Sequence, residues 1–170
     1  REAIYAKRRS ALYGERLSIE VSNMMNDVCD NIVNEFHELR DYEGFRLELL
    51  KSLSIESPVS EKEFLDIRSD ELVDKLMDSA YNNYKNKNDF LAESAFPVVK
   101  DVYENNAKGF KKIAIPITDG FKTIQIPADL ERLYESKGKE LGHEIEKAVT
   151  LSFIDLAWKE HLREMDDLKQ

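Results

Sequence analysis

The sequence lacks several features that would assign it at once to a class of protein. It has one cysteine, Cys29, in 170 residues, which excludes an internal disulfide and suits a reducing compartment. No apolar run approaches the roughly 20 residues needed to span a bilayer, and we expect no secretory signal. These absences disfavour a disulfide-stabilised protein and a membrane-spanning one.

Motifs that carry catalytic chemistry are also lacking. There is no Gly-x-x-x-x-Gly-Lys-Ser/Thr phosphate loop, no Gly-x-Ser-x-Gly and no Cys/His cluster of the zinc-binding kind. Glu140-x-x-His143 is the nearest approach to a metal motif, but a di-iron bundle needs two such pairs and two further glutamates. His37 and His161 fit surface or capping roles. We therefore expect no catalytic, cofactor-binding or metal-binding residue, and a metal-dependent bundle enzyme is a weak alternative.

Charge is plentiful and mostly negative. The formal net charge is −9, with 42% apolar and 35% charged residues, which is typical of one globular domain. A net negative charge argues against nucleic acid or an anionic membrane as the main partner. Residues 1–17 are basic, in contrast to the rest. This basic segment is either a docking face or, as we prefer, a solvated helix face.

Apolar residues recur every three or four positions through most of the chain, which predicts a mainly α fold. Gly14 is expected to end the first helix, and Ser60 begins a capping box with Glu63. Ser69 is expected to cap a longer helix, which Pro97 should break or kink. The predicted fold class is an elongated helical bundle with one small β-hairpin insertion.

The hairpin is predicted from FKKIAIPITDGFKTIQI, residues 110–126, where apolar residues alternate on both sides of Asp119-Gly120. Ile113, Ile115 and Ile117 share one face, and Ile124 and Ile126 are placed to pair with them. We expect this hairpin to be an accessory to the helical bundle. A single final helix of some 40 residues should then begin near Asp129.

The last 25 residues contain the only tryptophan, Trp158. The first half of this predicted helix is apolar on nearly all sides, which predicts burial. The second half keeps one apolar stripe, which predicts packing against another surface. Trp158 is interpreted first as a core anchor, and an interface with another domain stays open. Both ends of the chain lie in helical patterns without caps, so we expect the chain to be a piece of a larger protein.

These two ends resemble the SecA family of preprotein translocase motors. REAIYAKRR, residues 1–9, is similar to the REVIYAQR-type segment late in that family's long scaffold helix. Residues 146–170 are similar to its segment around LWKEHLxxMDxLRQ, where the chain returns into the scaffold. The residues shared in the second segment are Glu146, Lys147, Val149, Asp155, Trp158, Lys159, Glu160, His161, Leu162, Met165, Asp166, Leu168 and Gln170.

The resemblance implies a division of the chain. Residues 1–17 would be the end of the long scaffold helix, residues 18–145 the helical wing domain, and residues 146–170 the returning scaffold helix. The stretch from about 92 to 137, which contains the hairpin, departs from a nearly all-helical wing and looks like an insertion. By resemblance, contacts with other domains fall on Trp158, Lys159, Glu160, His161, Leu162 and Met165.

The resemblance also implies a function. Proteins of this family use ATP and Mg to move unfolded preproteins through the SecYEG channel, from the cytoplasm and in peripheral association with the inner membrane. The present segment would carry no nucleotide chemistry and no cofactor of its own. Its partners would be the other domains of the motor, the channel and the preprotein, with no nucleic acid. The alternative is a free-standing helical protein-interaction adaptor.

Overall fold

The computed structural model describes residues 2–13, 16–105, 109–118 and 120–167. Within these ranges the chain is mainly helical with one two-stranded antiparallel sheet, which confirms the predicted mainly α fold with a single hairpin. The predicted helix end at Gly14 lies outside the described residues. The elements are α1 Glu2–Tyr13, α2 Leu17–Phe36, α3 Tyr42–Ser52, α4 Glu61–Asp66, α5 Ser69–Glu104, β1 Lys112–Thr118, β2 Thr123–Asp129, α6 Leu130–Glu135 and α7 Glu140–Asp167.

The chain divides into two compact units. Unit 1 comprises Arg1–Ser18 and Asn88–Gln170, and unit 2 comprises Ile19–Lys87. The boundaries fall within α2 and α5, so each of these helices contributes to both units. The division into residues 1–17, 18–145 and 146–170 is based on the family resemblance and not on these compact units. It stays a prediction.

Unit 2 is built around aromatic rings from α3 and α4. The Phe45 and Phe64 rings are fully buried with centroids 4.7 Å apart, a separation at which aromatic pairs attract beyond their burial. Leu49, Leu72 and Leu76 complete the centre of this core. Burying such side chains stabilises a fold by about 1.5–3 kcal/mol each relative to leaving them in water.

Two helix starts in unit 2 follow the local sequence closely. The Asp41 carboxylate accepts a hydrogen bond from Gly44 N at 2.9 Å and caps α3. Ser60 Oγ accepts one from Glu63 N at 3.3 Å and caps α4 as predicted. The side chain of Glu63, however, pairs with Lys75 Nζ at 2.7 Å.

The start of α5 differs from the prediction that Ser69 is its cap. Ser69 is the first residue of the helix, and its Oγ lies 2.9 Å from His37 Nδ1. His37 Nε2 lies 3.0 Å from the Phe64 carbonyl oxygen, and the His37 ring meets the Phe64 ring edge-on. His37 thus connects the end of α2 to α4 and to the first residue of α5, a contact that the expected surface or capping role did not include.

Pro97 was expected to break or kink α5, and it does not break the helix. The helix continues through Pro97 to Glu104. An interior proline costs about 3 kcal/mol because it removes one helical hydrogen bond and crowds the preceding turn. Packing on both sides of it offsets this cost, since Ala92 and Val99 are buried.

The hairpin register agrees with the predicted pairing. Ile115 lies opposite Ile126 and Ile117 opposite Ile124, with Gly120 in the turn at φ +92°. The expectation that the hairpin is an accessory is wrong. Ile126 is fully buried and belongs, with residues of α5, α6 and α7, to the core of unit 1. The members of this core are Val99, Ile126, Ala128, Leu130, Leu133 and Leu141.

The predicted single final helix is also wrong, because the chain turns between α6 and α7. Gly138 adopts φ +84° and its N–H donates to the Leu133 carbonyl at 2.8 Å, which closes the end of α6. A Cβ at Gly138 would lie 2.6 Å from the Ala92 carbonyl oxygen. Only glycine tolerates both the left-handed backbone and this close approach to α5.

Candidate interaction surface on the terminal helices

The first and last helices that the structure describes meet in unit 1, where α1 packs along α7. The Arg8 guanidinium donates to the Asp155 carboxylate across this contact. Both side chains are a little over 40% exposed, and such a pair contributes only about 0–1 kcal/mol. The pair therefore helps to set the register of α1 on α7 more than it holds the helices together.

Burial falls steadily along α7. Leu141 is buried in the core of unit 1, and Leu151 and Ile154 are half-buried further along. Val149, Phe153 and Leu156 face solvent instead, with Phe153 67% and Leu156 60% exposed. These three residues are spaced i, i+4 and i+7 and therefore lie on one side of the helix. We call them the α7 apolar side.

The exposure of the α7 apolar side corrects the sequence interpretation, in which the first half of this helix was buried all round. Apolarity on every side of a helix predicts burial only when another element covers each side. Within the described residues, nothing buries the α7 apolar side. A contiguous exposed apolar patch marks a surface that binds a protein, a membrane or a ligand, or one that aggregates.

Trp158 begins a second apolar strip, on the opposite side of α7. It is half-buried, belongs to neither hydrophobic core, and its ring lies 5.6 Å from that of His161. Leu162 and Met165 follow at i+4 and i+7 and are 38% and 40% exposed. The structure does not support the preferred interpretation of Trp158 as a core anchor. We call these three residues the Trp158 strip.

Lys159 and Glu160 are exposed beside the Trp158 strip, as is His161. The six residues singled out by resemblance, from Trp158 to Met165, thus occupy two consecutive turns of one helix end. Their contact with other domains stays a prediction. Sequence reasoning named the Trp158 strip but missed the exposure of Phe153 and Leu156, for which helical spacing alone gives no signal.

An apolar groove adds a further surface in unit 1. It lies between α5 and β1 and has a volume of about 620 Å³. Val98 on its rim is 65% exposed. Its lining is almost entirely apolar: Leu91, Ser94, Ala95, Val98, Val99, Val102, residues 113–118 and Leu141.

Burial raises the pKa of the Cys29 thiol from its usual 9.0 to about 11, and the neighbouring Asp30 carboxylate adds to the shift. Cys29 is therefore protonated at neutral pH and a poor nucleophile. His143 Nδ1 lies 3.6 Å from Glu146 Oε2, one helical turn away. Across the described ranges, no group of three or more His, Cys, Asp or Glu side chains is placed to hold a metal ion.

None of the helices in the described part of the chain is long and apolar enough to cross a membrane. Two hydrophobic cores, paired terminal helices and outward apolar sides on α7 define a helical scaffold module. Residues 1–170 match the family described as SecA Wing and Scaffold domain. The chain belongs to this family, which confirms the resemblance seen at its two ends.

Curated relatives agree with the family match. The chain is 44% identical over 170 residues to the protein translocase subunit SecA of Flavobacterium psychrophilum and, equally, to that of Christiangramia forsetii. It is 44% identical over 169 residues to the protein of the same name from Porphyromonas gingivalis. These alignments cover 99–100% of the chain but 15% of each relative. No solved structure matches.

The family and the relatives support the wing and scaffold interpretation and not the free-standing adaptor. The chain corresponds to a wing and scaffold segment of a protein translocase subunit. It spans about 15% of the length of the curated relatives it matches, so the other parts of those proteins have no counterpart in it.

Proposed function

We propose that this chain is a mechanical segment of an ATP-driven motor that moves unfolded preproteins through the SecYEG channel. In this proposal the longer polypeptide binds ATP and Mg outside these residues, works in the cytoplasm, and associates peripherally with the inner membrane. The wing and scaffold segment contributes no nucleotide chemistry. It couples the other domains of the motor through α7.

The exposed apolar area of α7 carries this proposal. The α7 apolar side and the Trp158 strip lie on opposite sides of the same helix, and Phe153 is 67% exposed. Covering both apolar sides with other elements would remove this area from water, which is favourable. A polypeptide more than six times longer than this chain, as the relatives are, has ample material to do so.

Opposite apolar sides suit a coupling element. One domain would contact the α7 apolar side and another would contact the Trp158 strip. Because both contact the same helix, displacement of one domain would displace the other. Trp158 is the expected anchor, since tryptophan is enriched among the residues that contribute most to binding at protein interfaces. Lys159, Glu160 and His161 form the polar border of this contact.

The test compares Trp158→Ala in the 170-residue chain and in the full-length motor. In the chain alone we expect a loss of less than about 2 kcal/mol in the free energy of unfolding, since the ring is only half-buried. In the motor we expect preprotein-stimulated ATPase activity to change by about tenfold or more, because an interface anchor is lost.

Phe90→Ala provides the matched control, because Phe90 is an aromatic residue that is 68% exposed on α5. It should leave both the stability and the ATPase activity nearly unchanged. If Trp158→Ala has no more effect on the motor than Phe90→Ala, the coupling role of the Trp158 strip fails. Saturable ATP binding to the chain alone in calorimetry would contradict the assignment of nucleotide chemistry to other parts of the protein.

A further inference from the structure

Three cationic side chains converge on a cleft in unit 1. The cleft lies between the start of β1, the end of β2, α6 and the first half of α7, and its volume is about 450 Å³. Lys112 and Arg132 are exposed at its mouth, and Lys147 is half-buried. Its apolar lining consists of Pro127, Ala128, Ala148 and Leu151.

The two carboxylates that also line the cleft already have partners. The Asp129 carboxylate accepts a hydrogen bond from Arg132 N at 3.0 Å and caps α6. Glu144 lies 3.3 Å from Lys147 Nζ, and both side chains are largely shielded from solvent. Within the described ranges, the side chains of Lys112 and Arg132 form no ion pair. The lining therefore carries three cations and two carboxylates, a net charge of +1, beside an apolar floor. Lys112 lies opposite Asp129 in the hairpin register but makes no ion pair with it, so Lys112 and Arg132 both keep hydrogen-bonding capacity for a further carboxylate.

This positive cleft is unusual in an acidic chain. Unit 2 has sixteen acidic and eight basic residues, a net charge of −8, whereas unit 1 has eighteen acidic and seventeen basic ones, a net charge of −1. The excess negative charge of the molecule thus lies almost entirely outside the unit that contains the cleft. Electrostatic complementarity selects the sign of a partner and steers its approach.

We propose that the cleft binds a segment of a partner polypeptide that carries carboxylate side chains next to apolar ones. The carboxylates pair with Lys112 and with the planar guanidinium of Arg132, which can hold a carboxylate through two parallel hydrogen bonds. An adjacent apolar side chain covers Ala148 and Leu151. This site is separate from the Trp158 strip and does not depend on the coupling role given to that strip.

The test uses the whole 170-residue chain and fluorescence anisotropy of a labelled peptide, Gly-Ser-Glu-Leu-Glu-Leu-Ser-Gly. The matched peptide has glutamine in place of both glutamates. We expect saturable binding of the glutamate peptide that weakens as salt is raised, and binding of the glutamine peptide that is about tenfold weaker or more. The variant Lys112→Gln with Arg132→Gln should lose affinity for the glutamate peptide to the same degree.

A charge-matched variant distinguishes binding at the cleft from nonspecific electrostatic attraction of the peptide to the chain. Lys85→Gln with Lys139→Gln removes the same charge from exposed positions outside the cleft and should bind as the original chain does. Equal loss in both variants, equal binding of both peptides, or no saturable binding would overturn the proposal. So would self-association of the chain, seen by light scattering, that the cleft variant abolishes, because the occupant would then be a second copy.

Discussion

Replacing Gly138 with alanine tests the turn between α6 and α7 with the smallest possible change. The backbone at this position has φ +84°, where a residue with a Cβ is strained by about 1–2 kcal/mol. The added Cβ would also lie 2.6 Å from the Ala92 carbonyl oxygen, and this neighbour is backbone of α5 rather than a flexible side chain. Overpacking of this kind costs about 1–3 kcal/mol more. We therefore expect Gly138→Ala to lower the free energy of unfolding of unit 1 by about 2–5 kcal/mol.

Gly120→Ala is the matched control for this prediction. Gly120 has a similar positive φ of +92°, but no atom lies within 4 Å of a Cβ built there. Its substitution should therefore cost only the backbone strain of about 1–2 kcal/mol. Urea unfolding followed by the fluorescence of Trp158, the only tryptophan and a residue of unit 1, measures both variants. A loss for Gly138→Ala no larger than that for Gly120→Ala would refute the close approach of the turn to α5.

Three further predictions concern the two cores. Ile126→Ala should cost about 2–5 kcal/mol because Ile126 is fully buried, whereas Ile124→Ala, at a position 44% exposed, should cost clearly less in the same urea experiment. Equal losses would return the hairpin to an accessory role. The free energy of unfolding should fall as pH rises from 9 towards 11, since the unfolded Cys29 thiol ionises there and the folded one does not. The slope is at most about 1.4 kcal/mol per pH unit, and a Cys29→Ala variant should lack this component. His37→Ala should cost unit 2 about 1–3 kcal/mol, because it leaves the Phe64 carbonyl and the Ser69 hydroxyl without their partner.

Local features were predictable from the sequence because their causes lie within a few residues. Alternating isoleucines around a turn are enough to set the pairing of Ile115 with Ile126, and a serine three residues before a glutamate is enough to start α4. Features that depend on distant neighbours were not predictable in this way. The sequence shows that a glycine at position 138 weakens a helix. Only the close approach of the Ala92 carbonyl oxygen in the structure shows why α6 must end before this glycine.

The candidate surface was predictable in part for the same reason. The resemblance to the family segment indicated Trp158 and its neighbours. Helical spacing then placed Leu162 and Met165 on the same side of the helix as Trp158. Whether an apolar side is buried depends on what packs against it, which spacing does not report. Phe153 and Leu156 therefore looked like core residues in the sequence and are more than half exposed in the structure.

The central claim is that other domains of a longer protein contact α7. Amide hydrogen exchange along residues 152–167 of α7 tests this claim most directly. The measurement compares the 170-residue chain with the full-length protein under identical conditions. If other domains cover the α7 apolar side and the Trp158 strip, exchange in the full-length protein should be slower by about tenfold or more, because local opening must break those contacts as well. Equal exchange rates along these residues in the two proteins would contradict the account.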